Sequence, residues 1–487
     1  MASVGGVARH TLIYGAGIAL GKLAGFLMLP IYTRFLTPED YGVLELLSMT
    51  VEVIGTLTAM GVGASVFKFH AQYEEEKDKK EVVSTAEAGL LALSLAAVIV
   101  GWFLSPYLTS VILGPDVPDL YFRLFFLIFF CNRLQMMPLL VLRVQEKSLT
   151  FALVNVAKLV LQLSLNIYFV VFRGMAVEGV LWGNLAAAAL VGVGLQIAFL
   201  REIHVRPSWQ KFVELLRYGA PLSIFFLGNF VLVFSDRYFL NFLVGAGAVG
   251  IYSLAYRFVS VLSSFAFAPF QLIWGPKRFE VAKSPERDSV FPRVFLHLNL
   301  VVGGTCLLIS VFVDEVLRVM ADPEFFSAHE LVPVLLLAQV AFQWVNFSNL
   351  GLLLRDRTST LAKISGVAVV VVVGLNYLLI PHWGAMGAAW ATLGAYIFRY
   401  LAVLRYSQKA DSIGHDWPRV LRVYAAVVIA VVFESSLPAL PLLWSLAASS
   451  AVVVLAGVAI GHFVLGTEEK EKIMSSVRSL SKGRSPF

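Results

Sequence analysis

The chain is poor in charge: 14% of its 487 residues are Asp, Glu, Lys or Arg, whereas 58% are hydrophobic. Soluble domains carry about 25% charged residues, so a protein surrounded by water is excluded. The chain has only two cysteines, Cys131 and Cys306, and both lie in apolar stretches, so no disulfide is expected. The composition predicts an all-α polytopic membrane protein, because helices satisfy their own backbone hydrogen bonds in hydrocarbon.

The chain also lacks motifs of several enzyme classes. It contains no glycine-rich phosphate loop of the G-x-x-x-x-G-K-[ST] type, which argues against a pump driven by ATP. No connection between its apolar runs is long enough for an extramembrane catalytic domain, which argues against a glycosyltransferase, a polymerase or a ligase. We therefore expect a protein that is not an enzyme and that has neither a metal nor an organic cofactor.

Fourteen apolar windows are long enough to cross a bilayer, since a spanning helix needs about 20 residues. They lie near 11–33, 42–67, 83–105, 120–142, 149–172, 177–200, 213–241, 247–275, 293–314, 330–354, 360–380, 384–405, 420–438 and 440–465. With the N-terminus inside, 28 of the 38 Lys and Arg fall in the inner connections. This asymmetry predicts a multi-pass protein of the cytoplasmic membrane with both termini in the cytoplasm.

Short sequence matches recur at a nearly constant offset. YGA at 14–16 recurs at 218–220, and GVLW at 179–182 is matched by GAAW at 387–390. Repeats with an even number of helices share one orientation in the membrane, and they bind their substrate near the midplane between them. The predicted organisation is two six-helix lobes in a parallel pseudo-two-fold repeat with a further helix pair: N-lobe 1–205, C-lobe 206–410, helix pair 411–466 and cytoplasmic tail 467–487.

The start of each predicted lobe resembles a known family. Tyr14-Gly15 followed by PIYTRFLTPEDYG at 30–42, and SDRYFL at 235–240, are similar to the polysaccharide transporter family of Wzx-type oligosaccharide flippases. That family belongs to the same superfamily as the multidrug exporters and the lipid II flippases. The resemblance covers essentially the whole chain. It implies alternating-access export of a polyprenyl-diphosphate-linked oligosaccharide from the cytoplasmic to the outer leaflet.

Three cations, Lys22, Arg133 and Lys158, fall near the centres of predicted N-lobe helices. A charge at the bilayer midplane costs about 3 kcal/mol on insertion scales, so such side chains usually face a wet cavity or a partner. Cations at this depth suit an anionic cargo, because they replace the hydration of a diphosphate with charge-assisted hydrogen bonds. We expect these three residues to form a cationic pocket for the diphosphate.

Neutral polar residues accompany these cations. Asn155, Gln162 and Asn166 share one helix face with Lys158, and Gln339 and Gln343 share a face in the C-lobe. Amide side chains can donate to and accept from sugar hydroxyls, so we expect them to bind the glycan. Hydrogen bonding between helices is the alternative at these positions.

Four further charges are candidates for coupling or gating. Glu52, near the centre of the second helix, is either a counter-ion for Lys22 or Lys158 or a site that couples transport to H⁺ or Na⁺. Asp236, Arg237 and Arg257 form either an outer gate or an ordinary interfacial ion pair.

The cation excess favours the flippase over an exporter of cationic drugs. A lipid II flippase or an ion-coupled multidrug exporter of the same fold remains the alternative. Besides the lipid-linked substrate and the bilayer, a polymerase and other glycan-assembly proteins are candidate partners.

Overall fold

A computed structural model describes residues 26, 28–59, 61–202, 206–438, 440–464 and 466. Within these ranges the regular secondary structure is entirely helical. This confirms the predicted all-α membrane fold. Lys22 and the predicted tail at 467–487 lie outside the described residues.

The helices follow one another with short connections. In the first half they are α1 (Leu29–Phe35), α2 (Pro38–Ala59), α3 (Val62–Gln72), α4 (Glu76–Leu108), α5 (Leu120–Val144), α6 (Ser148–Ile167) and α7 (Val177–Glu202). In the second half they are α8 (Trp209–Leu243), α9 (Ala246–Leu262), α10 (Ala268–Val281), α11 (Arg287–Met320), α12 (Ala328–Ser348), α13 (Leu350–Leu354), α14 (Thr358–Ala410), α15 (Trp417–Ser435) and α16 (Leu442–Phe463). Single π-helical turns extend α4, α6 and α9 at Thr109–Leu113, Tyr168–Phe172 and Ser263–Phe267.

In the described part of the chain, ten helical stretches are long and apolar enough to cross a membrane. The longest, Thr358–Ala410, has 53 residues and joins two helices across a kink at Gly384 (φ 53°, ψ −130°). Pro381 lacks a backbone donor, and glycine adopts a positive φ without the steric cost of a Cβ atom. Two of the predicted windows, 360–380 and 384–405, meet at this kink. The helices are thus roughly consistent with the predicted fourteen spans.

The second predicted span is interrupted. Its two parts are α2, which ends at Ala59, and α3, which begins at Val62; Gly61 between them has a φ of 65°. On either side of this interruption, α2–α5 and α7 are held by two apolar clusters. Leu47, Phe122 and Phe126 belong to one cluster, whereas Val66 and Met137 belong to the other. The interruption therefore lies between two packed regions.

The chain folds into two compact units. The first comprises the described residues within Met1–Leu254, Met320–Phe325 and Ser365–Thr392. The second comprises those within Ala255–Val319, Phe326–Ile364 and Leu393–Phe487. Helix α14 thus contributes to both units.

Candidate functional site

The first unit contains a cavity of about 680 Å³. Its walls come from α2, the start of α3, α5 and α8, and most of them are apolar. The polar side chains of the lining are Ser48, Glu52, Thr56, Asn132, Arg133 and Asn229. Binding cavities for small ligands typically measure about 300–1,000 Å³ and place a few polar groups in apolar walls. This cavity therefore has the size and the composition of a ligand site.

Arg133, on α5, is the cation of this cavity lining. Its Nη2 donates to the carbonyl of Gly55, its Nη1 lies 3.2 Å from Met136 Sδ, and its Cζ lies 4.8 Å from the ring centre of Phe129. A Cβ atom at residue 55 would lie 2.8 Å from Nη2, so the glycine leaves the space that the guanidinium occupies. No carboxylate of the described residues lies within 4 Å of Arg133. Its charge is therefore available to an anion.

Glu52, on α2, lines the same cavity with an exposed side chain. No cation of the described residues lies within 4 Å of its carboxylate. Because Lys22 lies outside those residues, the proposed pairing of these two side chains stays a prediction. Lys158, the other predicted counter-ion, donates to Asn132 Oδ1 at 2.8 Å.

The polar face of α6 makes hydrogen bonds to neighbouring helices. Gln162 Nε2 donates to Asn184 Oδ1 of α7 at 2.8 Å, and Asn166 Nδ2 donates to the same oxygen at 3.0 Å. Asn166 Nδ2 also contacts the Tyr32 hydroxyl of α1 at 2.7 Å. These are hydrogen bonds between helices, which is the alternative to glycan binding at these positions. Asn132, to which Lys158 donates, connects this face to the cavity wall.

The remaining predicted amides are bonded as follows. Asn155 Nδ2 donates to the carbonyl of Phe151, one turn earlier in α6, at 2.8 Å. In the second unit, Gln339 donates to Ser263 Oγ at 2.8 Å, and Gln343 accepts from Asn346 Nδ2 at 3.0 Å. Binding of cargo at any of these positions stays a prediction.

Asp236 and Arg237 form a buried ion pair in the first unit. Both residues are 2% exposed, and Arg237 Nη1 lies 2.9 Å from Asp236 Oδ1. The hydroxyls of Tyr252 and Thr392 donate to Asp236 Oδ2 at 2.7 and 3.3 Å. The pair thus joins α8, α9 and α14 through one carboxylate. Arg257 belongs to the second unit, where its side chain is exposed.

A family model described as polysaccharide biosynthesis protein matches residues 7–282. This match covers more than half of the chain. The chain belongs to the polysaccharide biosynthesis protein family. The resemblance predicted from the two lobe openings is therefore confirmed at the level of the family.

One membrane protein is similar to this chain in sequence, and two solved transporter structures are similar to it in fold. An uncharacterized membrane protein of Methanocaldococcus jannaschii is 24% identical over 233 residues, which are 46% of this chain and 45% of that protein. The chain thus spans less than half the length of this relative. A lipid II flippase in an inward-closed conformation has a TM-score of 0.69 and 11% identity, with 92% of this chain and 98% of the flippase covered. An inward-facing multidrug transporter of the MATE family has a TM-score of 0.64 and 15% identity, with coverages of 83% and 96%. At these identities the structural likeness shows the fold alone.

In this member of the polysaccharide biosynthesis protein family, an ionic cluster joins α8 to α4. Lys211 Nζ, near the start of α8, lies 2.7 Å from Asp78 Oδ1 and 2.8 Å from Glu81 Oε2 of α4. The backbone N–H of Ser208 donates to Thr85 Oγ1 at 2.9 Å. We call Lys211, Asp78 and Glu81 the α4–α8 clamp. From the sequence, Lys211 is only one of the cations of an inner connection, because Asp78 and Glu81 lie about 130 residues away in the chain.

Contacts between α3 and α8 continue this clamp. Ser65 Oγ donates to the carbonyl of Leu215 at 3.0 Å, and Lys68 Nζ lies 3.9 Å from the ring centre of Tyr218. The Tyr73 hydroxyl donates to Glu214 Oε2 at 3.4 Å, and burial, followed by the charge of Glu214, raises the pKa of Tyr73. The end of α3 and the start of α4 are therefore closed against α8.

A second cavity, of about 580 Å³, lies between α15 and α16 in the second unit. Its walls are apolar, with side chains such as Ile429, Phe433 and Leu455. Arg422 also lines it, and this arginine donates from Nη1 to the carbonyl of Phe463 at 3.1 Å. An apolar groove of this kind suits a hydrocarbon chain.

Proposed function

We propose that this protein is a Wzx-type flippase that moves a polyprenyl-diphosphate-linked oligosaccharide from the cytoplasmic to the outer leaflet. The observation that carries this proposal is Arg133, a cation without an acidic partner among the described residues, in a cavity between membrane-crossing helices. The proposal places the protein in the cytoplasmic membrane with both termini inside. It is supported by membership of the polysaccharide biosynthesis protein family and by a fold shared with a lipid II flippase.

The chemistry of the cavity suits such a cargo. A diphosphate loses its hydration when it enters the membrane, and a guanidinium can replace part of it with two parallel hydrogen bonds. The amides of Asn132 and Asn229 and the hydroxyls of Ser48 and Thr56 can donate to and accept from sugar hydroxyls. We propose that Lys22 and Lys158 add to the cationic character of the pocket, with the amides of α6 beside them. The groove between α15 and α16 is proposed to hold part of the isoprenoid chain.

Transport by alternating access requires the contacts at each end of the pathway to break in turn. We propose that the α4–α8 clamp closes the cytoplasmic end. Lys211 then keeps α8 against α4 while the cavity is shut on that side, and separation of these helices admits cargo. Glu52 is proposed to couple the cycle to H⁺ or Na⁺ or to balance the charge of Lys22. Asp236, Arg237 and Arg257 are proposed as gating residues.

The experiment measures translocation of a fluorescent lipid-linked oligosaccharide in proteoliposomes, with and without imposed H⁺ and Na⁺ gradients. We expect Arg133→Gln to abolish translocation and Arg133→Lys to retain part of it, because lysine keeps the charge but not the paired donors. Arg173→Gln is the matched control, because Arg173 is an exposed arginine of the same unit. Full activity of a correctly folded Arg133→Gln protein would contradict the proposal.

The same assay separates the alternative functions. Lipid II, which also carries a diphosphate, replaces the oligosaccharide lipid in a second set of vesicles, and a cationic dye is used in a third. The fold shared with the lipid II flippase favours testing lipid II. Transport of the dye alone would assign the protein to multidrug export.

A further inference from the structure

Some arginines of the second unit pair with an acid, whereas others do not. Arg287 and Arg355 both pair with Asp411, so the acid at this position is already shared by two guanidinium groups. Arg278 and Arg399 lie within 4 Å of no carboxylate of the described residues. In the first unit the same contrast separates Arg237, which pairs with Asp236, from Arg133, which lines the cavity. An exposed arginine is solvated by water, but a buried or half-buried arginine without an acid requires an explanation.

Arg399, in the last part of α14, is more deeply buried than Arg278. The residue is 8% exposed, and its Cζ lies 5.4 Å from the ring centre of Phe342 on α12. Its Nε is buried without a hydrogen bond, and none of its nitrogens bonds to a described residue. A contact with an aromatic ring offsets only part of the cost of burying a charge. Arg399 thus keeps hydrogen-bonding capacity that the described residues leave unused.

Arg278, on α10, contacts the end of α12, one turn beyond Phe342. Its Nη1 donates to the carbonyl of Asn346 at 2.6 Å and to Asn349 Oδ1 at 3.1 Å, and its Nε is buried without a hydrogen bond. Phe342 and Asn346 are four residues apart on α12, so they lie on one face, one turn apart. The two arginines therefore approach consecutive turns of α12, and neither charge is balanced by an acid.

The nearby titratable groups do not supply the missing negative charge. Asp411 is held by Arg287 and Arg355. His415, which contacts Ser348 at the end of α12, is neutral because burial lowers its pKa to about 4. Both guanidinium groups are therefore without an acidic partner among the described residues, and guanidinium groups match the charge and the geometry of a phosphate or a diphosphate.

We propose that Arg278 and Arg399 form a second anion site, in the second unit, for the lipid-linked diphosphate of the cargo. The proposal rests on the proposed function. In the predicted topology, the ends of α10 and α12 that carry Arg278 and Asn346 lie on the cytoplasmic side. The site would therefore receive the diphosphate as the cargo enters from the cytoplasmic leaflet.

The test measures binding of geranylgeranyl diphosphate to the purified full-length protein, with geranylgeraniol as the probe that lacks phosphate. We expect Arg278→Gln and Arg399→Gln each to weaken binding of the diphosphate about tenfold or more, which is the contribution of a charge-assisted hydrogen bond. Arg405→Gln is the matched control, since Arg405 is an exposed arginine of the same helix. Binding of geranylgeraniol should be the same in all variants.

Stability provides a second readout. Removing an uncompensated buried charge should leave the melting temperature of the Arg399→Gln protein without ligand unchanged or higher. A clear drop would show that Arg399 acts by packing on Phe342 and would overturn the assignment. So would unchanged affinity for the diphosphate in both variants. In that case loss of translocation in Arg133→Gln would still support the proposed function, which fails only if that variant transports normally.

Phosphatidylglycerol, a phospholipid with a single phosphate, separates two sources of the anion. We expect geranylgeranyl diphosphate to bind in phosphatidylcholine vesicles both with and without phosphatidylglycerol. If phosphatidylglycerol displaces the diphosphate completely, and Arg399→Gln transports cargo normally, the site binds membrane lipid and the proposal is wrong.

Discussion

Replacing Asp236 with Asn tests whether the buried ion pair of the first unit is structural. Asp236 and Arg237 are each 2% exposed, so water screens neither charge. The asparagine would leave the guanidinium without its carboxylate, and it would weaken the bonds from Tyr252 and Thr392. Breaking one side of a buried pair costs about 3–5 kcal/mol, whereas losing one hydrogen bond to a charged group costs about 1.5–3 kcal/mol.

The measurement is thermal unfolding of the purified protein in detergent. We expect Asp236→Asn to lower the melting temperature more than Tyr252→Phe, which removes a single donor to the same carboxylate. A double variant, Asp236→Leu with Arg237→Met, should recover most of the loss, because apolar residues of similar volume often replace a buried pair without cost. The size of this recovery gives the cost of leaving Arg237 without the carboxylate of Asp236.

Two results would refute this reasoning. Equal melting temperatures of Asp236→Asn and Tyr252→Phe would mean that Arg237 finds another partner or reaches water. A stable Asp236→Asn protein that translocates cargo but no longer responds to an ion gradient would instead identify Asp236 as a coupling residue. The translocation assay must therefore accompany the melting curves.

Three further predictions follow from the same contacts. Charge reversal of the clamp by Lys211→Glu should separate α8 from α4, which is measured as a longer distance between spin labels on the two helices. Adding Asp78→Lys should partly restore the closed distance. Because the side chains of Lys211 and Asp78 are 14% and 37% exposed, each ion pair of the clamp contributes about 0.5–1 kcal/mol. Gly55→Ala should displace the guanidinium of Arg133 and reduce translocation while the protein remains folded, whereas normal transport would show that this arginine tolerates another position. Burial lowers the pKa of His415 to about 4, so stability should fall as the pH drops from about 6.5 to about 4, by about 3 kcal/mol, and His415→Asn should remove this part of the pH dependence of the melting temperature.

The sequence predicts those features that follow from local physical rules. Apolar windows locate the helices because a membrane requires continuous hydrocarbon-compatible runs. Arg133 is recognised because a cation inside such a window is costly, and the structure places it at a cavity. The junction of two windows at 384 coincides with a kink, since Pro381 and Gly384 interrupt regular helix.

Features that depend on distant partners are missed. The interruption at Gly61 lies inside one predicted window, because a glycine in an apolar run has no distinctive local pattern. Asn184 follows a recognised repeat motif, yet its bonds to Gln162 and Asn166 depend on how α6 and α7 pack. Lys211 and Asp78 lie 133 residues apart, so only the folded chain reveals the clamp. Helix periodicity predicts which residues share a face of one helix, but it does not predict which faces of different helices pack together.

Structural arginines cannot be separated by sequence from those proposed to bind cargo, because their partners are distant in the chain. Asp236 and Arg237 are neighbours in the sequence, so their pairing could be suspected, but Arg287 and Asp411 are separated by 124 residues. From the sequence, Arg278 and Arg287 are equivalent cations of one inner connection. The fold gives Arg287 an aspartate and gives Arg278 only amide and carbonyl oxygens. Because a buried cation without an anion is unfavourable, the missing charge is expected to come from a ligand. Arg133, Arg278 and Arg399 are therefore the residues at which the charge of the cargo should determine affinity.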